Sequence, residues 1–307
     1  MESLRDSFGK ALLELAEVYP DFVVFDADVA GGTSTHWFRE RFPERFIQSG
    51  IAEQNMMSVA AGYSTTGRTP FVTTYGVFAS MRALEQARNS VAYPDYNVKI
   101  VASHLGMDVG PDGASHQAIE DLAIFRAIPN MVVLAPADRY EMLAATEAIL
   151  KYRGPVYMRS GRSPVPDVYN GDVPFEIGKG RLLRDGCDVA IVAVGVMVHR
   201  AMKAADELAR SGIQARVVNM ASIKPIDRDL LCSCRRECGL IITCEDHNRF
   251  GGLFGAVLEA ISNDPCCVVP VAIDDRFGES GDPEELAVAY GIDVDSIVSV
   301  TKEALKG

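Results

Sequence analysis

The sequence predicts an α/β fold of two three-layer α/β/α domains, each built on a mostly parallel sheet. Short continuous apolar runs alternate with helical patterns along the chain, and such runs are typical of strands that a parallel sheet buries on both faces. The 307 residues suffice for two domains at roughly 150 residues each. A cluster of glycines and prolines after residue 160 predicts where the first domain ends.

The first domain is predicted over residues 1–165. Ser3 and Asp6 form a capping pair for a first helix, whose apolar residues then fall on one face. Asp138 and Glu141 form a second capping pair at the start of another helix. The other elements predicted here are a helix at 81–91 and strands at 22–25, 98–101, 131–134 and 156–158.

Residues 166–184 are predicted to be a linker, and residues 185–307 a second domain. The apolar run 188–195 predicts its first strand, and a helical pattern follows directly. The further elements predicted are strands at 217–218, 240–242 and 268–271 and a helix at 253–261.

Composition excludes several classes of function. With 42 acidic and 30 basic residues the net charge is −12, which disfavours binding to nucleic acid or to anionic membranes. The longest apolar run, 189–198, is about half the length of a membrane-spanning helix. The N-terminus lacks a signal-peptide pattern, so we expect a cytoplasmic protein that binds neither nucleic acid nor membrane.

The seven cysteines are odd in number and scattered, which is unlike a disulfide framework, and we interpret them as reduced thiols. Cys232, Cys234 and Cys238 cluster, but without paired CxxC spacing or a nearby histidine. Packing or solvent-facing thiols explain this cluster better than a metal site does, and the sequence assigns it no role.

Glu53 is the first candidate for chemistry. It lies in the segment GIAEQN at 50–55, where a helix with small and apolar residues is predicted to begin. Negative charge at a helix N-terminus is favourable in itself. By its motif alone, Glu53 is therefore explained at least as well by helix capping as by catalysis.

Two loops and a strand end supply further candidates. The turn-rich loop 106–117 carries Asp112 and His116, and His104 lies just before it. Loops at the carboxyl ends of parallel strands commonly build the sites of α/β proteins. Either histidine alone could be structural, but two together favour function. Arg159 follows a predicted strand and could bind an anion, although by itself a surface ion pair explains it better.

Taken together, these segments resemble the transketolase family, and deoxyxylulose-phosphate synthase is a close relative in pattern. The resemblance covers nearly the whole chain and corresponds to a pyrimidine-binding domain followed by a transketolase C-terminal domain. The segments that carry it, in order, are GIAEQN at 50–55, the aromatic residues Tyr75 and Phe78, GPDGASHQ at 110–117, FRAIPNMVVLAP at 125–136 and RFGESG at 276–281.

The resemblance implies an enzyme that needs a second chain. The family's diphosphate-binding domain carries a Gly-Asp-Gly (GDG) motif, and this sequence has none. It is thus expected to be the C-terminal subunit of a split transketolase, inactive alone and active with an N-terminal subunit that carries the GDG motif, as an α2β2 heterotetramer. Thiamine diphosphate and Mg²⁺ are the implied cofactors. The partner is expected to hold the metal and the diphosphate, with no metal ligand in this chain.

The resemblance also implies roles for individual residues. Glu53 corresponds to the glutamate that hydrogen-bonds N1′ of the cofactor's aminopyrimidine and promotes its imino tautomer. Phe78 corresponds to the aromatic residue that stacks on that ring, while Tyr75 and Met81 line the same pocket. Met81 departs from the aromatic residue of many members.

The implied substrate residues lie mostly at strand ends. His116 and Asp112 correspond to groups that meet the sugar hydroxyls, and His116 and His104 are expected to be catalytic together with Glu53. Asp28 corresponds to an aspartate that contacts a substrate hydroxyl. The groups implied for the distal phosphate are His104, Arg159 and Arg5.

The expected reaction is transfer of a two-carbon ketol unit from a ketose, expected to be phosphorylated, to an aldose phosphate. Gly32 stands where the family often has a phosphate-binding serine, and Thr33 or Ser34 could substitute for it. A sulfonate or an unusual phosphorylated ketose therefore stays open as substrate. The alternative functions are the beta subunit of a 2-oxoacid dehydrogenase and a catalytically silent scaffold subunit. The histidine loop GASHQ favours transketolase over the dehydrogenase.

Overall fold

The computed structural model describes residues 1–306, so the last residue of the predicted second domain, Gly307, lies outside them. The strands are β1 (Glu2–Ser3), β2 (Phe22–Asp26), β3 (Phe46–Gln48), β4 (Thr69–Tyr75), β5 (Lys99–Ser103), β6 (Val132–Leu134), β7 (Val156–Ser160), β8 (Pro164–Val165), β9 (Arg181–Arg184), β10 (Val189–Ala193), β11 (Ala215–Asn219), β12 (Ser222–Lys224), β13 (Leu240–Asn248) and β14 (Cys267–Ile273). The α-helices are α1 (Leu4–Val18), α2 (Ala30–Thr33), α3 (His36–Arg41), α4 (Glu53–Ser64), α5 (Leu84–Gln86), α6 (Asp121–Ala127), α7 (Arg139–Lys151), α8 (Met197–Arg210), α9 (Arg228–Cys238), α10 (Leu253–Ala260), α11 (Pro283–Ala289) and α12 (Val294–Ala304).

Two large sheets carry the fold, and both are mostly parallel. The first has seven strands in the order β12-β6-β7-β5-β4-β2-β3, and the second has five in the order β14-β13-β10-β11-β9. Among these twelve described strands, only β12 and β9, one at an edge of each sheet, run antiparallel to their neighbours. The predicted α/β fold with two parallel sheets is confirmed. One strand departs from the predicted division of the chain, because β12 comes from the second half and pairs with β6 in the first sheet.

Both predicted capping pairs are present. The Asp6 amide donates to the Ser3 hydroxyl (3.2 Å), and the Glu141 amide donates to the Asp138 carboxylate (3.0 Å). Each satisfies one of the amides that a helix start leaves without a partner. The apolar face of α1 is buried as its spacing predicts.

A third, two-stranded sheet was not predicted from the sequence. β1 pairs antiparallel with β8, and the Arg5 amide donates to the Gly161 carbonyl (3.1 Å). Only two residues contribute from each side, so neither segment has a detectable strand pattern. This pairing places the start of α1 beside the chain that leaves β7.

Two segments differ in detail from the predicted elements. The helix predicted at 81–91 is irregular, because π-helical stretches (Phe78–Arg82 and Ala87–Ala92) flank the short α5. The predicted loop 106–117 begins with a 3₁₀-helical stretch (Gly106–Asp112). Such irregular helical stretches are frequent at functional sites.

Gly9, in the middle of α1, allows this helix to pack closely against residues 34–37. A matched pair of substitutions can measure how close the contact is. A Cβ at Gly9 would lie 2.5 Å from the Ser34 carbonyl oxygen and 2.9 Å from the Trp37 ring, whereas a Cβ at Gly62 of α4 would meet nothing within 4 Å. We expect Gly62→Ala to stabilise the fold by about 0.5–1 kcal/mol through helix propensity. Gly9→Ala should instead destabilise it by about 1–3 kcal/mol through overpacking.

Urea unfolding of both variants measures the difference, as a shift in midpoint at unchanged slope. Equal stabilisation by the two substitutions would show that α1 does not approach residues 34–37 this closely.

Candidate active site

The candidate site lies at one edge of the first sheet, where its central parallel strands end together. β2, β4, β5 and β7 are neighbours, and Tyr75 pairs with Ser103, which pairs with Ser160. The carboxyl ends of these strands therefore come level with one another. Chain segments that follow them are brought to the same place, although they are far apart in sequence.

Four predicted rings form one cluster at this edge. The Tyr75 ring lies 3.9 Å from the His104 ring and 5.9 Å from the Phe78 ring, centroid to centroid. His116 packs edge-on against both Tyr75 (5.8 Å) and Phe78 (5.7 Å). The structure thus brings together side chains from the end of β4, from the π-helical stretch after it and from the segment that follows β5.

His104 is a neutral residue of this cluster. Burial, and then the charges of Arg5 and Arg162, lower the pKa of its imidazole to about 3. Its Nε2 lies 3.5 Å from the Asp112 carboxylate, and its Nδ1 lies 2.9 Å from the Ser103 hydroxyl. The carboxylate favours the tautomer with the proton on Nε2, so that Nδ1 accepts from Ser103. His104 therefore offers its one N–H, without carrying charge, on the side that faces Asp112.

Two arginines near His104, Arg5 and Arg162, have unused hydrogen-bond donors. Arg5 donates from Nη1 to the Gly32 carbonyl (3.2 Å), and Arg162 donates from Nη1 to the Val109 carbonyl (2.8 Å). The Nε atoms of both arginines are buried and have no hydrogen-bond partner within residues 1–306. Buried donors without acceptors are costly. An anion bound between the two guanidinium groups would satisfy them.

Sequence reasoning did not identify Arg162. It lies in the Gly- and Pro-rich stretch that follows β7, three residues after the arginine that was selected. The only available signal was its position shortly after the predicted strand 156–158, and Arg159 shares that signal although it lies within β7. The β1–β8 pairing, which the sequence does not reveal, brings the segment that contains Arg162 next to Arg5.

Gly32 is required by close packing, and its neighbours do not replace the expected serine. A methyl group on Gly32 would overlap the Tyr75 hydroxyl. The Thr33 hydroxyl contacts the buried Asp26 carboxylate (3.2 Å), and the Ser34 hydroxyl donates to Asp6 (2.5 Å). Neither hydroxyl is free, so the expected substitution by Thr33 or Ser34 is wrong. Tyr75 fills the space that a side chain at position 32 would take.

Glu53 is buried at the first residue of α4, with 2% of its surface exposed. Its carboxylate does not cap the helix. Among the described residues it accepts hydrogen bonds from Arg82 alone, at 3.2 and 3.3 Å. A cavity of about 530 Å³ opens beside it, lined by residues 51–55 and Arg82.

Arg82 is the second residue that sequence reasoning missed, and it links Glu53 to the ring cluster. Its guanidinium lies 4.4 Å above the centre of the Phe78 ring. The spacing of four residues between Phe78 and Arg82 was an available signal, since helical residues at this spacing face each other. Half of the Arg82 side chain is exposed, whereas the Glu53 side chain is not.

Three further predicted residues lie at the same edge but make fewer contacts. Asp28 follows β2 in a left-handed conformation (φ 65°) and is exposed. Asp112 is partly exposed and lies 3.7 Å from Arg162. Met81 is largely exposed beside Arg82.

Arg159 does not join the cationic cluster, which contradicts its expected place at a distal phosphate. Strand alternation puts it on the same face as Tyr157, where both bind Asp121. Arg159 donates from Nε (2.8 Å) and Nη2 to the Asp121 carboxylate, and from Nη1 to the Asp246 carbonyl (3.0 Å). Although burial raises the pKa of Asp121, the Arg159 guanidinium lowers it below its usual value. This arginine is 8% exposed and its donors are committed.

Within residues 1–306 no group of three or more His, Cys, Asp and Glu side chains is arranged to hold a metal ion. Over the same residues, no helix is both long enough and apolar enough to cross a membrane. All seven cysteines are free thiols.

Family models match both halves of the chain. The model for "Transketolase, pyrimidine binding domain" matches residues 2–167, and the model for "Transketolase, C-terminal domain" matches residues 178–297. The chain belongs to the transketolase family. The predicted resemblance and the predicted transferase class are confirmed, and two-carbon ketol transfer is the reaction that transketolases share.

Several relatives are transketolase halves of the same length as this chain. A protein of Methanocaldococcus jannaschii named "Putative transketolase C-terminal section" is 46% identical over 99% of this chain and 97% of its own length. One of the subunits of an apulose-4-phosphate transketolase from Phocaeicola vulgatus is 38% identical over 100% of this chain and 98% of its own length. A solved structure described as "Split gene transketolase, inactive beta4 tetramer" is 48% identical, with a TM-score of 0.94 over 100% of this transketolase chain and 99% of that one.

Because Arg159 neutralises a buried carboxylate, replacing it should destabilise the fold. Arg159→Met leaves the buried Asp121 carboxylate without its cationic partner, with the Tyr157 hydroxyl still donating to it, and we expect this to cost about 3–5 kcal/mol of unfolding free energy. Adding Asp121→Asn should recover part of that loss, because the unpaired charge is removed. A double-mutant cycle in urea measures the coupling. If Arg159→Met keeps full stability but weakens binding of anionic sugars, the assignment of Arg159 to the interior is wrong.

Proposed function

We propose that this chain is the C-terminal subunit of a two-chain transketolase, with a pyrimidine-binding domain at 1–165, a linker at 166–184 and a C-terminal domain at 185–307. The observation that carries the proposal is one continuous site. The buried Glu53, the Phe78 and Tyr75 rings and the cationic pair Arg5 and Arg162 are joined through His104, His116 and Arg82. This arrangement suits a flat coenzyme ring at one end and a sugar that carries an anion at the other.

The residues present fit the pyrimidine ring of thiamine diphosphate. Glu53 offers a buried carboxylate on the wall of a cavity, and its sole partner among the described residues, Arg82, is half exposed. Phe78 and Tyr75 offer stacked faces for an aromatic ring (5.9 Å between centroids). Met81 is exposed beside them and adds apolar contact.

When bound, thiamine diphosphate supplies the nucleophilic carbon and the electron sink for breaking a carbon–carbon bond. Glu53 binds the ring nitrogen N1′ and holds a proton between that nitrogen and its own carboxylate oxygen. Phe78 and Tyr75 keep the ring in one orientation. Arg82 stabilises the Glu53 charge while the ring is absent.

The sugar lies across the ring cluster in this proposal. His116 and Asp112 bind hydroxyls near the reacting carbons and move protons to and from them, and Asp28 binds a further hydroxyl at the same edge. Arg5, Arg162 and the neutral His104 bind the terminal anion. A phosphate suits two guanidinium groups and one N–H donor, and a sulfonate offers the same oxygen geometry. A ketose phosphate is therefore the proposed donor, and an aldose phosphate the acceptor.

A partner chain completes the site. The sequence has no GDG motif, and the similar solved structure is described as an inactive tetramer of beta chains alone. We propose that an N-terminal transketolase subunit carrying that motif holds Mg²⁺ and the diphosphate, in an α2β2 assembly. The exposed Ile51 and Met81 beside Glu53 are apolar surface that such a partner would cover.

The two alternative functions are less well supported. A 2-oxoacid dehydrogenase beta subunit would share the glutamate, but the family models that match are those of transketolase. A silent scaffold subunit would not need unsatisfied arginine donors beside two histidines. The activity of Glu53 variants decides between scaffold and enzyme.

Glu53→Gln tests the proposed function in the reconstituted two-chain complex with thiamine diphosphate and Mg²⁺. We expect kcat for ketol transfer to fall by about 100-fold or more, because the amide cannot share a proton with N1′. Steady-state kinetics with a panel of ketose phosphates and aldose phosphates measures it.

Glu285→Gln is the matched control, since Glu285 also lies in the first turn of a helix but is exposed. It should leave kcat unchanged. Full activity of Glu53→Gln, or full activity of this chain without any partner, would contradict the proposal.

Arg162→Gln tests the anion site. We expect KM for a phosphorylated ketose to rise by about 10- to 100-fold, the size of one lost charge-assisted hydrogen bond, while KM for a neutral ketose changes little. Arg228→Gln on the exposed start of α9 is the control and should change neither. Equal losses for charged and neutral sugars would contradict an anion-binding role for Arg162.

A further inference from the structure

Asp246, in the second half of the chain, reaches into the loop that carries Asp112 and His116. Its buried carboxylate, near the end of β13, accepts hydrogen bonds from the Met107 amide (2.8 Å) and the Asp108 amide (3.2 Å). These amides lie at the start of the 3₁₀-helical stretch Gly106–Asp112. The carboxylate therefore fixes the beginning of the segment that leads to both substrate residues.

The contact is close because Gly106 precedes these amides. Gly106 has a left-handed conformation (φ +60°), and a methyl group on it would overlap the Asp246 carboxylate. The carboxylate thus packs directly on the backbone of the loop. A residue with a side chain at position 106 would force the two apart.

A second carboxylate extends the connection to the anion site. Asp108 accepts hydrogen bonds from the Arg162 amide (2.7 Å) and the Ser163 amide (3.0 Å), and the Ser163 hydroxyl donates to the Asp108 carbonyl (2.8 Å). The Arg162 side chain in turn donates to the Val109 carbonyl (2.8 Å). The loop after β5 and the segment after β7 are therefore tied into one unit, and Asp246 holds that unit.

Other buried acids near the interface between the halves have different partners. Asp121 is neutralised by Arg159. Glu245, next to Asp246 in the chain, accepts from the Leu253 and Phe254 amides at the start of α10, within its own half. Of these four acids, only Asp246 and Asp108 bind the backbone of the substrate loops. Burial raises the pKa of both carboxyls, and the charge of Asp246 adds to this effect at Asp108, whose pKa rises to about 6. Hydrogen bonds from the backbone amides, and for Asp246 also the charges of Arg159 and Arg200, oppose this cost of burial.

We propose that Asp246 is a positioning residue through which the C-terminal half sets the substrate loops. It orients residues 106–112 and, through Asp108, the backbone of Arg162, so that Asp112, His116 and Arg162 face the sugar. The role of these three side chains rests on the proposed function. Glu53 and Phe78 lie on elements that Asp246 does not contact. Asp246 therefore affects the binding of the sugar and not the binding of the coenzyme.

Asp246→Asn in the reconstituted two-chain complex tests the proposal. The asparagine side chain has the same shape as aspartate. Its NH₂ group replaces one acceptor oxygen, however, and this donor would face a backbone N–H. We expect KM for the phosphorylated ketose to rise by about tenfold or more, while the Kd for thiamine diphosphate stays within about twofold. A variant that merely loosens the fold would weaken both.

Glu245→Gln is the matched control, since it changes a neighbouring buried carboxylate that contacts the α10 amides and His247 of its own half and makes no hydrogen bond to residues 106–112 in the described structure. It should lower Tm without raising KM. Asp108→Asn is a second variant, which breaks the same connection one step nearer to Arg162, and it should raise KM as Asp246→Asn does. If Glu245→Gln raises KM as much as Asp246→Asn, the positioning role is overturned.

Amide hydrogen exchange of the full chain gives a readout that does not depend on activity. Asp246→Asn should speed exchange at Met107 and Asp108 and also at Arg162 and Ser163, with α4 unchanged. Unchanged exchange at 162–163 would overturn the proposed connection, whatever the kinetics. A wild-type complex without ketol transfer would instead refute the proposed function, while the exchange result would still decide whether Asp246 holds both loops.

Discussion

The parallel register of β2, β4, β5 and β7 is the constraint on which the site depends. Each strand hydrogen-bonds its neighbour along its length, so their carboxyl ends come level at one edge. The residues that follow these ends therefore lie close together. Tyr75 and His104 come within 3.9 Å, ring centre to ring centre, because β4 and β5 end at the same height.

Charge is distributed so that an acidic protein presents a cationic site. The net charge is −12, yet Arg5 and Arg162, whose charges both act on His104, each keep a buried donor without a partner among the described residues. The buried His104 between them is kept neutral by burial and by their charge. Arg159 shows the opposite use of the same residue type, since the Asp121 carboxylate and a carbonyl oxygen occupy its donors. Whether an arginine is structural or available to a ligand is decided by its partners, not by its position at a strand end.

The second half of the chain supports the candidate site by holding the loop between His104 and Gln117 in place. Asp246 fixes the start of that loop, and the Gln117 amide at its end donates to the Glu279 carbonyl (2.9 Å). A methyl group on Gly278 would overlap Gln117. The loop between His104 and Gln117 is thus held at both ends by the second half. Its shape is a property of the packed pair of halves, because neither end is secured by local hydrogen bonds alone.

The sequence by itself determined the family, the two parallel sheets and most of the site's members, because these depend on local patterns: capping pairs such as Ser3 with Asp6, buried apolar runs, and residue types at strand ends. Only the tertiary structure decided which of those members act together. It committed the donors of Arg159 to Asp121 and Asp246, left a buried donor of Arg162 without a partner, paired Glu53 with Arg82, and placed Asp246 beside Gly106. Each of these depends on contacts between segments distant in sequence, on the face that a strand turns inward, and on which donors are already satisfied, and no local pattern carries that information.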